Sequence, residues 1–458
     1  MTRTKTEELS GWGRYPRVRA RVVRPESVSR VASHDAAAAG AGGVIARGQG
    51  RSYGDAALSG VDGVAVLTER LNRYLSFDER AGVLRAEAGT TLADVLDTFV
   101  PRGWFPSVVP GTKFVSLGGC VAADIHGKNQ HHAGSFGSHT TGLDMQLADG
   151  SLVRCSPEEN AELFRATVGG MGLTGFIRDV SFRLIPIETA HMLVRQQGAR
   201  DLDESLRLLE DTPSGDEYTV SWIDCLSEGA RLGRGVLMRG NHARLNEIKN
   251  NSNPLRLSAR RGFELPFDLP SWALNNFTAR AFNRLYFHRQ SLKTSHFITD
   301  IGSFFFPLDA VGGWNRAYGR AGFVQYQCVL PPTESRDGLR QMLEALGASR
   351  VPCFLAVLKR FGGEGAGLLS FPMPGYTLAL DLPMRGRALF DLLKKFDDIV
   401  LRLGGRIYLA KDSCLDAETF RAMYARYPEW RRVKERLDPG GRFRSALSER
   451  LGITSQEP

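Results

Sequence analysis

Three glycines and two arginines crowd the eleven residues Ala46-Arg47-Gly48-Gln49-Gly50-Arg51-Ser52-Tyr53-Gly54-Asp55-Ala56, directly after the apolar run Gly43-Val44-Ile45. Glycines so spaced let a backbone turn through positive φ and bring peptide N–H groups against a phosphate, with Arg47 and Arg51 available as charge. The spacing of Gly48, Gly50 and Gly54 is one residue longer than the dinucleotide fingerprint, and no acidic residue follows at the ribose-binding distance. Gly127-Lys128 lacks the preceding glycine and the following Ser or Thr of a P-loop. Alone, such a segment is an ordinary turn, so its meaning depends on its companions.

Three further segments carry candidate chemistry: Pro110-Gly111-Thr112 through Ser116-Leu117-Gly118-Gly119 to Asp124-Ile125-His126-Gly127-Lys128-Asn129; Gly169 to Ile177; and Tyr408-Leu409-Ala410-Lys411-Asp412. His126, His131, His132 and His139 lie close in sequence, but their spacing matches no standard metal site and no cysteine is adjacent, so no metal is expected. The six cysteines contain no C-x-x-C pair, which argues against a disulfide framework or structural zinc and fits a reducing compartment.

The elements that must position these groups are short and alternating in the first third. Gly63–Leu67 and Val83–Ala88 read as strands, and Thr91–Phe99 as a helix capped by Thr90 or Thr91. Residues 144–154 read as strand, Asp-Gly turn, strand, followed by a helix from Glu158 to Val168 and a strand pair ending near Pro186. From about residue 190 the units lengthen. Strands are expected near 218–223, 234–239, 322–329, 353–359 and 376–382, with helices near 201–210, 336–346 and 387–403. This pattern predicts a second α+β domain on a mostly antiparallel sheet. After Gly404-Gly405 the chain returns to a strand, Arg406–Ala410, and charged helices.

At 458 residues with 42% apolar and 24% charged content, the chain reads as a soluble two-domain protein. No apolar leader opens the sequence and no run approaches a membrane span, so a cytoplasmic protein is expected. Between Gly229 and Lys293 stand twelve Lys/Arg against Glu247, Glu264 and Asp268, an excess equal to the +9 of the whole chain. Trp272, Phe277, Phe282, Leu285, Tyr286 and Phe287 interleave with these cations, as at a membrane interface or lipid-phosphate site; a solvated basic helix pair is the plainer reading. Nucleic acid is a poor fit, because no reader motif accompanies the charge.

Taken together, these segments resemble the FAD-dependent oxidoreductases of the vanillyl-alcohol-oxidase type, and within them the oxidases of polyprenylphosphoryl ribose. The matching stretches run from end to end: Leu9-Ser-Gly-Trp-Gly13, Ile45 to Asp55, Asp124 to Asn129, Ala133-Gly-Ser-Phe-Gly137, Trp314-Asn-Arg-Ala-Tyr-Gly319 and Ala410-Lys-Asp-Ser413. The resemblance implies an α+β, two-domain PCMH-type fold. Residues 1–189 and 406–458 would form the FAD-binding domain and 190–405 the substrate domain, with 229–293 basic and partly mobile around the Asn-Asn-Ser-Asn-Pro run at 250–254.

It further implies that Ala46 to Ala56 bind the FAD pyrophosphate. Flavin contacts would come from Gly111, from Ser116, Leu117, Gly118 and Gly119, from His126, Gly127, Lys128 and Asn129, and from Ile177 and Tyr408. Relatives with covalent flavin carry a histidine in the glycine-rich loop; Arg51 to Asp55 has none, so the FAD is expected to be non-covalent. The reaction implied is hydride transfer from the 2′-hydroxyl carbon of a polyprenylphosphoryl-β-D-ribose to flavin N5. It is the first half of an epimerisation to the arabinose form for cell-wall biosynthesis, completed by a short-chain reductase partner.

Lys411 is the first candidate for the group that takes the hydroxyl proton or meets the phosphate, with His126 and Tyr53 as rivals. The substrate pocket is expected to hold Lys128, Trp314, Tyr318, Gln325, Gln327, Lys359, Thr377 and Lys411. Gln325 and Gln327, two apart on a strand, share a face. Related oxidases carry a cysteine after the Phe-Pro-x-Pro-Gly motif, where this chain has Ala379, and an asparagine where it has Thr377; Phe304-Phe305-Phe306 also departs at the pocket rim. A soluble sugar, alditol or nucleoside-sugar oxidase of the same fold is the alternative, and a non-catalytic, membrane-associated flavin protein the second.

Overall fold

The computed structural model describes residues 5–31, 42–213, 215–248, 252–258, 262–270, 272–291 and 295–454. Three large sheets organise them, beside a short parallel pairing of Phe263–Glu264 with Val311–Gly312. The first, in the order Lys5–Ser10, Arg17–Val23, Val64–Leu67, Val44–Arg47, joins an antiparallel pair to two parallel neighbours. Val64 to Leu67 are all buried, as the continuous apolar run of a central strand requires. The second sheet orders Tyr74–Asp78, Val83–Glu87, Phe176–Pro186, Thr140–Gln146 and Leu152–Cys155, with Trp104–Pro106 also pairing to the long strand. Where a strand pair was expected near Pro186, the chain runs as one eleven-residue strand whose successive partners are different elements. The helix Leu92–Phe99 is capped by Thr91 in a capping box with Asp94.

The third sheet has eight strands, all antiparallel to their neighbours: Ser295–Asp300, His191–Ala199, Gly235–His242, Tyr218–Ile223, Ala356–Phe361, Gly375–Pro383, Phe323–Leu330 and Arg406–Ile407. The molecule is thus an α+β protein with its larger half on an antiparallel sheet. Alternation along Phe323–Leu330 sorts the two faces. Tyr326 points to the helix side, where its hydroxyl donates to Asp397 of the Arg387–Arg402 helix at 3.1 Å, while Gln325 and Gln327 point the other way. The strand expected over 406–410 stops at Ile407. Tyr408 still donates to Gln327 O at 2.9 Å, and then a turn closes with the N–H groups of Lys411 and Asp412 on Tyr408 O, which breaks the ladder.

The C-terminal segment folds back on the first sheet. Phe443 bridges Val44, and Arg444 N–H donates to Val44 O at 2.9 Å. Arg450 closes the return: its guanidinium donates to both oxygens of Asp55 at 2.8 and 2.9 Å and to Asp412 Oδ2 at 2.8 Å, and both carboxylates are buried.

Candidate active site

The open face of the large sheet is the floor of a cavity of about 730 Å³, within the usual range for cofactor and ligand sites. Strand register explains which side chains reach it. Gln325 stands opposite Asp381, Gln327 opposite Ala379, Ala379 opposite Val357, and Val357 opposite Trp222; Lys359 stands opposite Thr377. Because side chains alternate, every second residue on four strands faces the same way: Val220 and Trp222, Val357 and Lys359, Ala379 and Asp381, Gln325 and Gln327 all line the cavity. Thr377 does not reach it. It is fully buried beneath Gln327, whose amide nitrogen sits 3.0 Å from Thr377 Oγ1 and 2.9 Å from His126 Nε2.

The roof is the glycine-rich loop and its companions. Ala46, Gly48, Gln49, Gly50, Arg51, Ser52, Tyr53 and Ala56 line the cavity, as do Gly111, Ser116, Gly118, Gly119, His126, Gly127, Lys128, Ile177 and Tyr408. Gly50 takes φ +62°, the left-handed turn expected of such a loop. Five residues singled out for cofactor contact lie behind this surface. Arg47 turns back beneath Gly50 and donates to Ser10 O at 2.7 Å and Ala57 O at 3.3 Å, so its charge serves the loop and not the cavity. Gly54 packs its α-carbon against the Asp412 carbonyl, and Asp55 is held by Arg450. Leu117 is core, and Asn129 donates to Ser107 O at 2.8 Å. Arg51 remains at the wall, its guanidinium 4.0 Å from the Trp12 ring centroid and its Nε buried without a partner.

Trp314, Tyr318, Lys359 and Lys411 also line the cavity. Tyr318 stacks on Phe323 at 4.1 Å, and Trp314 meets Trp12 edge-on at 5.8 Å, so the aromatic wall is rigid. Three lysines share the chamber. Burial pulls Lys411 down to about 8, with Asp381 opposing the fall; its Nζ lies 4.5 Å from the Tyr53 ring centroid. Lys359 falls to about 7 by burial and by Lys411, and Lys128 to about 7 by burial and by Lys359. Lys128 donates to Phe304 O and lies 4.4 Å from that ring. Of the three phenylalanines expected at the rim, only Phe305 lines the cavity; Phe304 and Phe306 are buried beside it. His126 is driven well below its ordinary value by burial and by Lys359 and Lys411, so its imidazole is neutral. Burial, with Asp381 adding to it, raises the Tyr53 hydroxyl, which stays protonated.

Asp381 is the functional candidate that sequence reasoning missed. It is the acidic residue facing Lys411, buried, with Gln325 donating to its Oδ1. The available signal was its place two residues after Ala379 on the same strand. Trp222, Phe282, Tyr286 and Phe354, which make an apolar wall, were also missed as lining residues.

The basic 229–293 region is less uniform than its composition. Arg234 is buried in an ion pair with Asp224 at 2.7 Å at the end of two sheet strands, and Arg239, on a strand, donates to Leu208 O of the helix packed against it at 2.6 Å. Lys249, Arg260, Arg261 and Lys293 lie outside the described residues, as do Asn250 and Asn251 of the run expected to be mobile. In place of a helix pair, the described residues of the region hold one α-helix, Asn276–Ser291, near its end. It is pinned by Asn283, which donates to Asp224 and to Cys353 O at 3.2 Å, and by Tyr286 against Trp222 at 4.6 Å. Its outer side leaves Phe277 80% and Leu285 69% exposed, beside Trp272 at 74%.

Among the described residues no helix is long and apolar enough to cross a membrane, and no three His, Cys, Asp or Glu gather as a metal site. His139 sits 2.8 Å from Ala133 O.

Comparison with known proteins decides the family. The chain is 38% identical over 457 residues, 98% of both chains, to decaprenylphosphoryl-beta-D-ribose oxidase of Mycolicibacterium smegmatis. This chain belongs to that oxidase family. An FAD binding domain family matches residues 19–156, and a D-arabinono-1,4-lactone oxidase family matches residues 383–451. An uncharacterised protein from the mprA 5′ region of Streptomyces coelicolor is 33% identical over 370 residues, 79% of this chain and all of that one. Human Delta(24)-sterol reductase is 26% identical over 182 residues, 39% of this chain and 35% of the reductase. The oxidase is therefore an FAD-dependent oxidoreductase, and its residues suit the cofactor: a positive-φ glycine loop, the unpartnered Arg51 Nε and the Ser116 hydroxyl all border one cavity.

Proposed function

We propose that the protein oxidises the 2′-hydroxyl of a polyprenylphosphoryl-β-D-ribose to the ketone. One observation carries this reading: a single cavity runs from the glycine-rich loop, past two amides on the sheet floor and three lysines around them, to the apolar wall of Trp222, Phe282 and Tyr286. These surfaces suit, in order, the FAD pyrophosphate, a sugar with its phosphate, and a lipid chain. Ala46, Gly48, Gln49, Gly50 and Arg51 would hold the cofactor without a covalent bond, and bound there it supplies the hydride acceptor. Lys411 takes the hydroxyl proton, its depressed proton affinity making the free amine accessible near neutral pH. Lys359 and Lys128 meet the phosphate. Gln327 orients the sugar, held in turn by His126 and Thr377. Residues 1–189 with 406–458 serve as the cofactor domain and 190–405 as the substrate domain.

The exposed face of the 276–291 helix, with Phe277, Leu285 and Trp272 among arginines, would rest on a bilayer and admit the lipid tail beside Phe282 and Tyr286, which line the cavity from the same helix. The ketone product then passes to a short-chain reductase partner that completes the epimerisation. The test is the flavin absorption spectrum before and after anaerobic addition of a prenylphosphoryl ribose, with bleaching expected. A second reading, a soluble lactone or alditol oxidase, draws on the 383–451 match. It predicts bleaching by free lactones or polyols and no binding to anionic vesicles, and would displace the first if only those compounds reduce the flavin.

A further inference from the structure

Two acceptor atoms in the cavity wall have no use in the mechanism above. Asp381 is 1% exposed and Gln325 6%. They stand opposite one another on adjacent strands, and both line the cavity. Gln325 Nε2 donates to Asp381 Oδ1, which fixes the amide's orientation. Asp381 Oδ2 and Gln325 Oε1 are left buried with no hydrogen-bond partner. Leaving a carboxylate oxygen and an amide oxygen together without donors is costly, and native structures keep such groups where something completes them.

The chemistry of the completing ligand follows from what is missing. Both atoms only accept hydrogen bonds while Asp381 is ionised, so phosphate, carboxylate and carbonyl groups cannot serve them. Hydroxyl donors can, and the sugar supplies them beside the 2-hydroxyl, on the neighbouring ring carbon and on its exocyclic carbon. Burial pushes the Asp381 carboxyl up to about 6, with Gln325 and Lys411 opposing the rise, so it is ionised at neutral pH. Lys411 faces Asp381, and Tyr53 and Tyr318, raised by burial, remain neutral phenols. We propose that Asp381 Oδ2 receives the hydrogen of the sugar's 3-hydroxyl and Gln325 Oε1 that of a second hydroxyl other than the one Lys411 deprotonates, so that Asp381 is a specificity-determining residue selecting the 3-hydroxyl.

This inference rests on the sugar-phosphate reading and can fail separately from it. The experiment compares prenylphosphoryl ribose with its 3-deoxy analogue on the FAD-loaded wild type, Asp381→Ala and Gln325→Leu. It measures dissociation constants from the flavin spectrum with non-reducing 2-deoxy and 2,3-dideoxy counterparts, and anaerobic reduction rates with the two reducible sugars. In the wild type, loss of the 3-hydroxyl should cost roughly 10- to 100-fold in kcat/KM, the range of a hydrogen bond to a charged group. Asp381→Ala should lose a similar factor on the ribose and nothing further on the deoxy sugar. Independent, multiplying losses overturn the proposal. So does equal handling of both sugars by the wild type, which marks the two acceptors as satisfied by water alone and needs no variant to fold. If neither sugar bleaches the wild-type flavin, the sugar reading itself fails and the proposal with it.

Discussion

Binding of a phosphorylated ligand should draw protons into this cavity, and the amount can be worked out from Lys359. Burial and the neighbouring Lys411 lower it from 10.5 to about 7. At pH 8 a group with that value is only about one-tenth protonated, and at pH 6 about nine-tenths. A phosphate monoanion about 4 Å from the amine contributes about 4 kcal/mol at an effective dielectric near 20, or about three pKa units, which restores full protonation at both pH values. Lys359 alone should therefore take up about 0.9 proton at pH 8 and about 0.1 at pH 6. Lys128, lowered similarly, adds to the pH 8 figure if the same phosphate reaches it. The assay is titration calorimetry of the FAD-loaded protein with a non-oxidisable 2′-deoxy prenylphosphoryl ribose, in buffers of different ionisation enthalpy. Lys359→Met should lower the uptake at pH 8 by about 0.9 while keeping the flavin spectrum. Uptake no greater at pH 8 than at pH 6, or unchanged in Lys359→Met, would refute the assignment of Lys359 to the phosphate.

Flavin reduction should rise with pH through about 8, because Lys411 must lose its proton to accept one, and Lys411→Ala should keep its FAD yet reduce it at least 100-fold more slowly; stopped-flow absorbance reads both, and an unchanged rate removes Lys411 from the chemistry. Arg450→Met leaves Asp55 and Asp412 buried without their cation and should cost about 3–5 kcal/mol, read from the urea midpoint; a loss below about 1 kcal/mol shows that the clamp adds little. Acid precipitation should leave the yellow colour in the supernatant, since the loop offers no histidine for attachment; a coloured pellet means a covalent bond.

What the sequence revealed was local. Gln325 and Gln327 could be assigned to one face because alternation along a strand is set by the strand itself, and the Phe323–Leu330 strand lies within one residue of its expected bounds. The helix cap could be narrowed to Thr90 or Thr91 because capping is also local, and the structure uses Thr91. Asp381 could not be found this way. Its partner strand, Phe323–Leu330, is more than fifty residues away, and only the pairing register brings Asp381 against Gln325. Thr377 shows the converse: it shares a strand and a period with Ala379 and Asp381, yet Gln327 covers it. Arg47 was misplaced because the direction of a long side chain depends on Ser10 O and Ala57 O, acceptors that loop composition does not reveal. The net charge of 229–293 likewise counted Arg234 and Arg239 as surface, where the sheet buries or engages them.

Arg450 joins Asp55 across 395 residues of chain. Synthesis at about 5–20 residues per second delivers the glycine-rich loop tens of seconds before the arginine that fixes it to the Lys411 turn. Until then the loop's buried carboxylate has no counter-charge. Cofactor retention should therefore depend on the chain having reached Arg450: nascent chains that stop short of it should not retain FAD, however well their first sheet has formed.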